Sequence, residues 1–576
     1  MSTDQETVQN IELTSFDKSG AKVSSQYPLD EESYPYEGEI EVGVAEEEDL
    51  EEDLRDSNFS WVLTSIWTNS ALAALDGTIV STTVNDIASQ FQQASMVTWV
   101  ATAYLLTTTA VQPLYGKISD IIGRRKCLLF GEVIFALGVL LCNFANTIPQ
   151  LAIARAICGI GGSGNSAMGN IMLNDILPLS VRATYWSYGA ILASIFQSLG
   201  GPIGGLLLKW FGVGGLFTPQ IPFCIGSIYL SYKYIHDYKE HARSSWKRID
   251  FGGSICLLVG ISSFIFFFSA SDNTTIEDDG WSTPKKWSVV LLIVSIIAFA
   301  FIENFVAVEC IIPRVILEGT LGLMVCIHGL VAVINYTCLF MVPLFLQLNW
   351  GVSVSRSGGY IMFIVIFSSA GSLFTSMILN RFSKPTRSSQ LFCAASAIFY
   401  MSILTIVGYY YMQKAIYYSK PIYGSDTQIP KYDNWSIILG IAILGFCQGS
   451  QNVTISIYNV AKVGRKEQAS STSVNLLFRS MGNVLSVSIA LNIFTNVLKK
   501  KLSIVLNDDL DLLAVLLKDN AFLRSDIMPT ERIGPILGAF HDALGTSIVP
   551  CKWCVYISLI LSLMLFVTEY RQHKDL

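Results

Sequence analysis

The stretch "YGKISDIIGRRKC", residues 115–127, places four basic residues and one aspartate between two long apolar runs. Only 14% of the 576 residues are charged, whereas an average soluble protein has about 25%. Apolar runs of this length with so few charges predict membrane-spanning helices. We therefore interpret residues 116–126 as a charged loop between two membrane helices.

Fourteen apolar stretches are near the length of about 20 residues that crosses a bilayer core. They lie near residues 59–84, 96–115, 126–146, 149–172, 184–208, 215–235, 251–271, 287–308, 321–347, 357–379, 388–411, 436–461, 472–497 and 553–570. The sequence thus predicts an all-α integral membrane protein with fourteen transmembrane helices.

The basic residues of the loops predict the orientation. Alternate loops, together with the C-terminus, carry about nineteen Lys and Arg, and the short opposite loops carry about seven. Cytoplasmic loops carry such an excess, so we expect both termini in the cytosol. Asn273 in "NTT" and Asn434 in "NWS" fall in loops on the other side and are predicted glycosylation sites.

The first 57 residues differ in composition from the rest of the chain. They hold 18 acidic and three basic residues, and the remaining body has a net charge of about +8. A segment with so little apolar surface and no helix or strand period cannot offset its ordering entropy. We predict a disordered acidic cytosolic tail over residues 1–57.

Ionisable residues inside predicted spans are functional candidates, because a charge at membrane depth is costly. Asp76, Glu132, Arg155 and Arg479 are the candidates for proton or substrate coupling. Asp76 would carry a proton or bind a cation; alternatively, it is a structural carboxylate that pairs with a neighbouring helix. Arg155 shares a helical face with Gly159 and Gly162, which favours either coupling or a buried structural pair.

The fifth span contains "SLGGPIGG", in which two overlapping pairs of glycines surround Pro202. The glycines are Gly200, Gly201, Gly204 and Gly205. Small residues four apart allow close helix crossing, and a proline removes a backbone hydrogen bond and kinks a helix. We expect a tightly packed, kinked helix.

Several motifs resemble the major facilitator superfamily, specifically its fourteen-helix drug:proton antiporter family. In the opening stretch, the signature residues of the superfamily match Gly116, Asp120, Gly123, Arg124 and Arg125. "LAIARAICGIGGSG" is similar to the proton-coupling motif of helix four, "GGPIGG" to the antiporter motif of helix five, and "LDGTIV" to a helix-one motif of the fourteen-helix branch. The resemblance covers roughly residues 60 to 500.

Within this family the chain is most similar to the fungal vacuolar basic amino acid transporters. That resemblance implies proton-driven movement of lysine, arginine or histidine from the cytosol into the vacuole, with the proton gradient in place of any cofactor. The family commonly has a Trp-Arg pair after helix five, where this chain has Val213 and Gly214.

The resemblance also implies the domain organisation, with two six-helix bundles and two additional helices between them. The predicted divisions are the tail at 1–57, an N-terminal bundle at 58–235, a cytosolic linker with the two additional helices at 236–320, a C-terminal bundle at 321–571 with a lumenal loop at 498–552, and a cytosolic tail at 572–576. The charged loop would act as a conformational latch, with Asp120 capping a neighbouring helix or pairing with Arg124.

Other functions stay open at this point. A plasma-membrane multidrug:proton antiporter and a non-transporting nutrient sensor fit the same fold. An enzyme is disfavoured, because the chain has no HExxH motif, no paired histidines near a cytosolic face and no phosphate-binding loop after a strand. The expected partners are protons, a small cationic substrate and the lipid bilayer, without nucleic acid, and the expected state is a monomer.

Overall fold

The computed structural model describes residues 14–16, 22–24, 59–91, 98–177, 179–235, 250–269, 283–307, 310–312, 314–382, 387–418, 431–463, 468–506, 512–513, 515–516 and 530–574. Its helices are α1 (Phe59–Phe91), α2 (Thr98–Ile122), α3 (Arg124–Asn143), α4 (Ile148–Ile176), α5 (Leu179–Gly215), α6 (Gln220–Tyr234), α7 (Phe251–Ser269), α8 (Thr283–Phe305), α9 (Arg314–Leu317), α10 (Gly319–Trp350), α11 (Val354–Phe382), α12 (Arg387–Tyr418), α13 (Lys431–Val463), α14 (Gln468–Val505), α15 (Thr530–Ser547) and α16 (Val549–Lys574).

Each of the fourteen predicted apolar stretches lies on one of these helices. Within the described ranges, nine helical segments are long and apolar enough to cross a membrane, so the chain is a multi-pass membrane protein; the number of fourteen crossings stays a prediction. Helices α1, α2 and α4 are not among the nine, because each carries buried polar side chains such as Asp76, Gln112 and Arg155. The same helices form the candidate site.

The helices pack as two groups in chain order. In the first group, α4 packs against α2 and α3, and α1 packs against α5 and α6. In the second group, α13 packs against α11 and α12, and α10 packs against α14 and α16. The two groups meet where α5 contacts α11 and α2 contacts α14.

Helices α7 and α8 pack against each other, and α7 also contacts α2 and α14. Helix α7 therefore lies at a seam between the groups, and α8 packs on α7. The outward face of α8 exposes large apolar side chains, including Ile296 at 59% and Ile297 at 63%. Such a surface requires lipid rather than water around it.

Two helix boundaries differ from the predicted loops. Helix α2 continues to Ile122, so the predicted loop 116–126 narrows to Gly123 between α2 and α3. Helix α14 continues to Val505, and α15 and α16 begin inside the predicted loop 498–552. A helix can extend beyond the bilayer into water, so the end of an apolar run marks the membrane boundary and need not end the helix.

Six residues of the acidic tail form a short antiparallel hairpin. Strand β1 (Thr14–Phe16) pairs antiparallel with β2 (Lys22–Ser24), with Ser15 opposite Val23. The prediction that the tail lacks regular structure is therefore wrong for these residues.

Candidate functional site

Asp76 of α1 and Arg155 of α4 form a buried ion pair. The Nη1 atom of Arg155 donates to both carboxylate oxygens of Asp76, at 2.7 Å and 2.6 Å. The side chains are 0% and 1% exposed. The two strongest candidates of the sequence analysis thus contact each other directly, and the predicted alternative of a buried pair describes this conformation.

The pair is held by neutral and aromatic groups. Gln220 of α6 donates its Nε2 hydrogen to Oδ1 of Asp76 over 3.3 Å. The guanidinium carbon of Arg155 lies 4.5 Å from the ring centroid of Tyr104 and 5.8 Å from that of Phe217. Cation–π contacts of this kind stabilise a desolvated guanidinium. Within the described chain, Nε of Arg155 has no hydrogen-bond acceptor.

The glycines that follow Arg155 allow α2 to approach α4. A Cβ atom on Gly159 would lie 2.0 Å from Oγ1 of Thr107, and one on Gly162 would lie 2.8 Å from the hydroxyl of Tyr104. Thr107 donates across this interface to the carbonyl of Ala156 at 2.9 Å. The small residues therefore allow a neighbouring helix to pack closely against α4.

Glu132 of α3 lies in a separate buried cluster. Its Oε1 atom accepts hydrogen bonds from Asn69 Nδ2 at 2.5 Å, Ser227 Oγ at 3.0 Å and Ser231 Oγ at 2.6 Å. Glu132 is 2% exposed. In the described part of the chain, its Oε2 atom has no hydrogen-bond partner.

Sequence reasoning missed the neutral partners of both carboxyl groups. Gln220, Ser227 and Ser231 all belong to the buried face of α6. Their spacing of seven and four residues places them on one helical face. That periodicity was the available signal, although neutral polar residues in an apolar helix are less conspicuous than charges.

Arg479 of α14 lies in the second group of helices, away from the Asp76–Arg155 pair. It is partly exposed and has electrostatic interactions with Tyr336 and His328 of α10. His328 is fixed by Asn475 at 2.6 Å and Asn452 at 3.1 Å. Among the described residues, no carboxylate forms an ion pair with the Arg479 guanidinium.

Three residues of the predicted latch lie at or next to the turn between α2 and α3. Gly123 has a φ of 100°, a conformation that favours glycine; its part in a latch stays a prediction. Arg124 donates from Nε to Oδ2 of Asp175 over 3.3 Å, which joins the start of α3 to the end of α4. Arg125 donates to the carbonyl of Tyr232 at the end of α6. Asp175 was missed in the sequence analysis.

The remaining latch glycine lies inside a helix. Gly116 is within α2 and not in the predicted loop 116–126, because the helix continues beyond the apolar run. A Cβ atom on Gly116 would lie 3.3 Å from Oγ of Ser473 in α14. Nearby, Ser480 of α14 donates to Oε1 of Gln112 at 3.0 Å. Gly116 therefore serves the contact between the two groups of helices.

For three of the predicted site residues the structure gives no functional contact. The side chain of Asp120 is outside the described residues, as is the whole of Asn273. Asn434 lies in the first turn of α13 and not in a loop, because this helix begins before its apolar run. Use of either asparagine as a glycosylation site stays a prediction.

The glycines of the "GGPIGG" motif face two different helices. A Cβ atom on Gly200 would lie 2.8 Å from Cβ of Thr78 in α1. A Cβ atom on Gly201 would lie 2.5 Å from the Cα atom of Gly358 in α11, and one on Gly205 would lie 3.0 Å from the backbone of Ser355. The expected close helix packing is thus present, and one side of it joins the two groups of helices.

The break in α5 lies beyond the motif. Gly212, with φ 65° and ψ −168°, is the position in α5 where the backbone angles are non-helical. Pro202 itself lies within helical backbone, because proline fits the helical φ and removes only one hydrogen bond; the kink at Pro202 stays a prediction. Next to this break, the backbone nitrogen of Val213 donates to Oε1 of Gln90 at 3.3 Å.

Known sequences that are similar to this chain belong to membrane transport and drug resistance proteins. A sequence model of the Major Facilitator Superfamily matches residues 66–487. Vacuolar basic amino acid transporter 1 of Saccharomyces cerevisiae is 31% identical, over 89% of this chain and 93% of its own length. Vacuolar membrane amino acid uptake transporter fnx2 of Schizosaccharomyces pombe is 30% identical, over 92% and 89%. Multidrug resistance protein fnx1 of Schizosaccharomyces pombe is 31% identical, over 78% and 81%.

Solved structures agree on the fold. The crystal structure of a bacterial homolog to the human lysosomal transporter Spinster, inward-facing and unoccupied, aligns with a TM-score of 0.57. The alignment covers 89% of this chain and 98% of that chain at 14% identity. The human organic anion transporter MFSD10 aligns with a TM-score of 0.51 at 12% identity, over 89% of this chain and 100% of that chain. Identities this low support the arrangement of helices alone.

Proposed function

The chain belongs to the Major Facilitator Superfamily, and from this premise we propose that it is a proton-coupled antiporter that moves lysine, arginine and histidine from the cytosol into the vacuole. It is a multi-pass membrane transporter of small molecules, and the names of two extensive relatives support the amino acid substrate and the vacuolar membrane. We expect it to work as a monomer, with the proton gradient as its energy source.

The observation that carries this proposal is the buried contact between Asp76 and Arg155. A carboxylate at this depth can be neutralised by the guanidinium, by a proton or by a cationic group of the substrate. If Asp76 binds the proton or the substrate, its pairing with Arg155 must weaken. Mutually exclusive occupancy of one carboxylate is sufficient to couple proton and cation movement in opposite directions.

Arg479 supports an amino acid substrate. Its guanidinium lies in the opposite group of helices and has no acidic partner among the described residues. An amino acid brings a carboxylate that a simple cationic drug lacks, and guanidinium is suited to bind a carboxylate through two hydrogen bonds. We assign Asp76 to the cationic group of the substrate and Arg479 to its carboxylate.

Alternating access requires the contacts between the two groups of helices to break in turn. At the predicted lumenal end, Gly201 packs on Gly358, and Gln347 of α10 donates to the carbonyl of Thr82 in α1 at 3.1 Å. At the predicted cytosolic end, Gly116 lies beside Ser473. The basic turn at Gly123 would act as a latch on this second contact.

Uptake into isolated vacuolar vesicles tests the proposed function. Vesicles with the protein should accumulate labelled lysine, arginine and histidine when ATP energises the proton pump, and a protonophore should abolish the accumulation. Vesicles from cells that lack the protein provide the matched control. Equal accumulation with and without the protein would contradict the proposal.

A multidrug:proton antiporter is the second candidate, because fnx1 is named as a multidrug resistance protein and is as similar to this chain as the vacuolar relatives are. Export of cationic dyes from intact cells, without vacuolar amino acid uptake, would favour it. A nutrient sensor without transport activity would show neither flux.

A further inference from the structure

A row of polar side chains crosses the apolar interface between α1 and α6. The two helices run in opposite directions. Along α1 the polar residues are seven and then four residues apart, and their partners on α6 have the same spacing, so both sets lie on the facing sides of the two helices. The row consists of three hydrogen-bonded pairs: Asp76 with Gln220 at 3.3 Å, Asn69 with Ser227 at 3.1 Å, and Ser65 with Ser231 at 2.5 Å. We call these three pairs the polar ladder.

The polar ladder has a carboxyl group at each end, and the two differ in their surroundings. Asp76 contacts the guanidinium of Arg155. Among the described residues, the hydrogen-bond donors to Glu132 are neutral, and all three belong to the ladder. A buried carboxylate without a cation is unfavourable, so a proton is the natural neutralising partner of Glu132.

The groups that face Glu132 from α1, α4 and α6 support this difference. Helix α1 provides Asn69, and α6 provides Ser227, Ser231 and the thiol of Cys224, which interacts electrostatically with Glu132. On the side of α4, the amide of Asn165 lies close to the neighbouring Gly131. None of these groups is cationic.

The hydrogen bonds of Glu132 are also incomplete in either charge state. Oε1 accepts from Asn69 and Ser231 and shares the single hydroxyl hydrogen of Ser227 with Oδ1 of Asn69, whereas Oε2 has no partner within the described chain. An ionised Glu132 would leave Oε2 without a donor, and a protonated Oε2 would lack an acceptor. Because the ionised and the protonated state each lack one hydrogen-bond partner, a modest movement of α3 or α6 is sufficient to change which charge state is favoured.

We propose that Glu132 is the residue that binds the transported proton, and that the polar ladder places it at the cytosolic end of the proton route while Asp76 and Arg155 handle the cationic substrate. This inference rests on the proposed function and changes one part of it: the proton binds to Glu132, so that Asp76 exchanges only the guanidinium of Arg155 and the cationic group of the substrate. The step is protonation and deprotonation of one carboxyl group, with the proton taken up from the ladder side and released toward the cytosol.

The position of the cluster supports this direction. Ser65 lies in the second turn of α1, and Ser231 lies in the last turn of α6. Both helix ends are predicted to face the cytosol. Asp76 is seven residues from Asn69, which corresponds to about 10 Å along the helix, so Asp76 lies closer to the middle of the membrane than Glu132.

Infrared spectroscopy of the purified protein during a pH titration tests the proposal without transport. We expect a buried carboxylic acid band that titrates in the wild type, persists in Asp76→Asn and is lost in Glu132→Gln. A titrating band unchanged in Glu132→Gln would overturn the proposal. If Glu132→Gln does not fold, Ser231→Ala serves instead: removal of this donor should shift the midpoint of the band, and an unshifted midpoint would overturn the proposal.

Transport in vesicles of purified protein and lipid supplies the second readout. Glu132→Gln should lose the component of lysine accumulation that depends on a pH gradient, and Glu132→Asp, which keeps the acid, should recover part of it. Gradient-driven accumulation equal to the wild type in Glu132→Gln would overturn the inference alone. If the wild type accumulates no basic amino acid, the proposed function fails, and the infrared titration still decides the role of Glu132.

Discussion

Gly201 of α5 and Gly358 of α11 pack backbone against backbone, so that a Cβ atom on Gly201 would lie 2.5 Å from the Cα atom of Gly358. This contact joins the two groups of helices where a side chain of any size would separate them. We propose that this contact closes one face of the protein.

The first prediction concerns this contact. Gly201→Ala should force α5 and α11 apart at a cost of about 1–3 kcal/mol, as overpacking generally does, and should lower the uptake rate about tenfold for each 1.4 kcal/mol lost from the closed state. Gly204→Ala is the matched control, because its Cβ atom would lie 3.4 Å from Thr83, an ordinary contact. Equal uptake rates of the two variants would contradict this role.

The second prediction concerns the Asp76–Arg155 pair. Asp76→Asn or Arg155→Gln alone leaves an uncompensated group and should lower stability by about 3–5 kcal/mol. The double variant should recover much of that stability, but not transport. Melting temperatures of the purified proteins measure the first effect, and uptake measures the second. Full proton-dependent uptake by Asp76→Asn would refute the coupling role of Asp76.

The third prediction concerns the latch. Arg124 and Asp175 are each about one-fifth exposed, so Asp175→Asn should change stability by less than about 1 kcal/mol. It should nevertheless slow turnover, since the pair fixes the α2–α3 turn to α4. Asp120→Ala should likewise lower turnover more than substrate affinity. Lys126→Ala, at an exposed position in the same turn, is the control for loss of charge and should have little effect on either quantity.

A large loss of affinity at normal turnover in Asp175→Asn or Asp120→Ala would contradict the latch. Initial uptake rates measured over a range of lysine concentrations separate the two quantities.

The fourth prediction concerns substrate recognition by Arg479. Unlabelled lysine should inhibit uptake of labelled lysine much more strongly than cadaverine, the same molecule without its carboxylate. Arg479→Gln should remove this difference by weakening lysine inhibition about tenfold or more, in line with the loss of a charge-assisted hydrogen bond. An unchanged ratio of the two inhibitors in Arg479→Gln would exclude carboxylate binding by this residue.

Hydropathy predicted the helices well, because the need to satisfy backbone hydrogen bonds in lipid leaves little alternative to a helix. It predicted their ends poorly, as the continuation of α2 through Gly116 to Ile122 shows. Polar residues can continue a helix in water, and only local geometry, such as the positive φ of Gly123, sets the boundary.

The candidate site was predicted in its parts and not in its connections. Asp76 and Arg155 were conspicuous as charges in apolar runs, but their pairing depends on how α1 packs against α4. Asp175 and Gly358 were missed, since an acid at a helix end and one more glycine carry no distinctive local signal. Tertiary contacts between distant segments gave each of them its role.

The burial of Asp76 has a consequence for biosynthesis. Its partners Arg155 and Gln220 follow 79 and 144 residues later in the chain, so ribosomes deliver α1 to the membrane well before either is made. In the interval the carboxyl group faces an insertion cost of about 2.5–3.5 kcal/mol. The first six helices must therefore be assembled as one unit. A chain truncated before α6 would lack a partner of Asp76 and would remain exposed to membrane quality control.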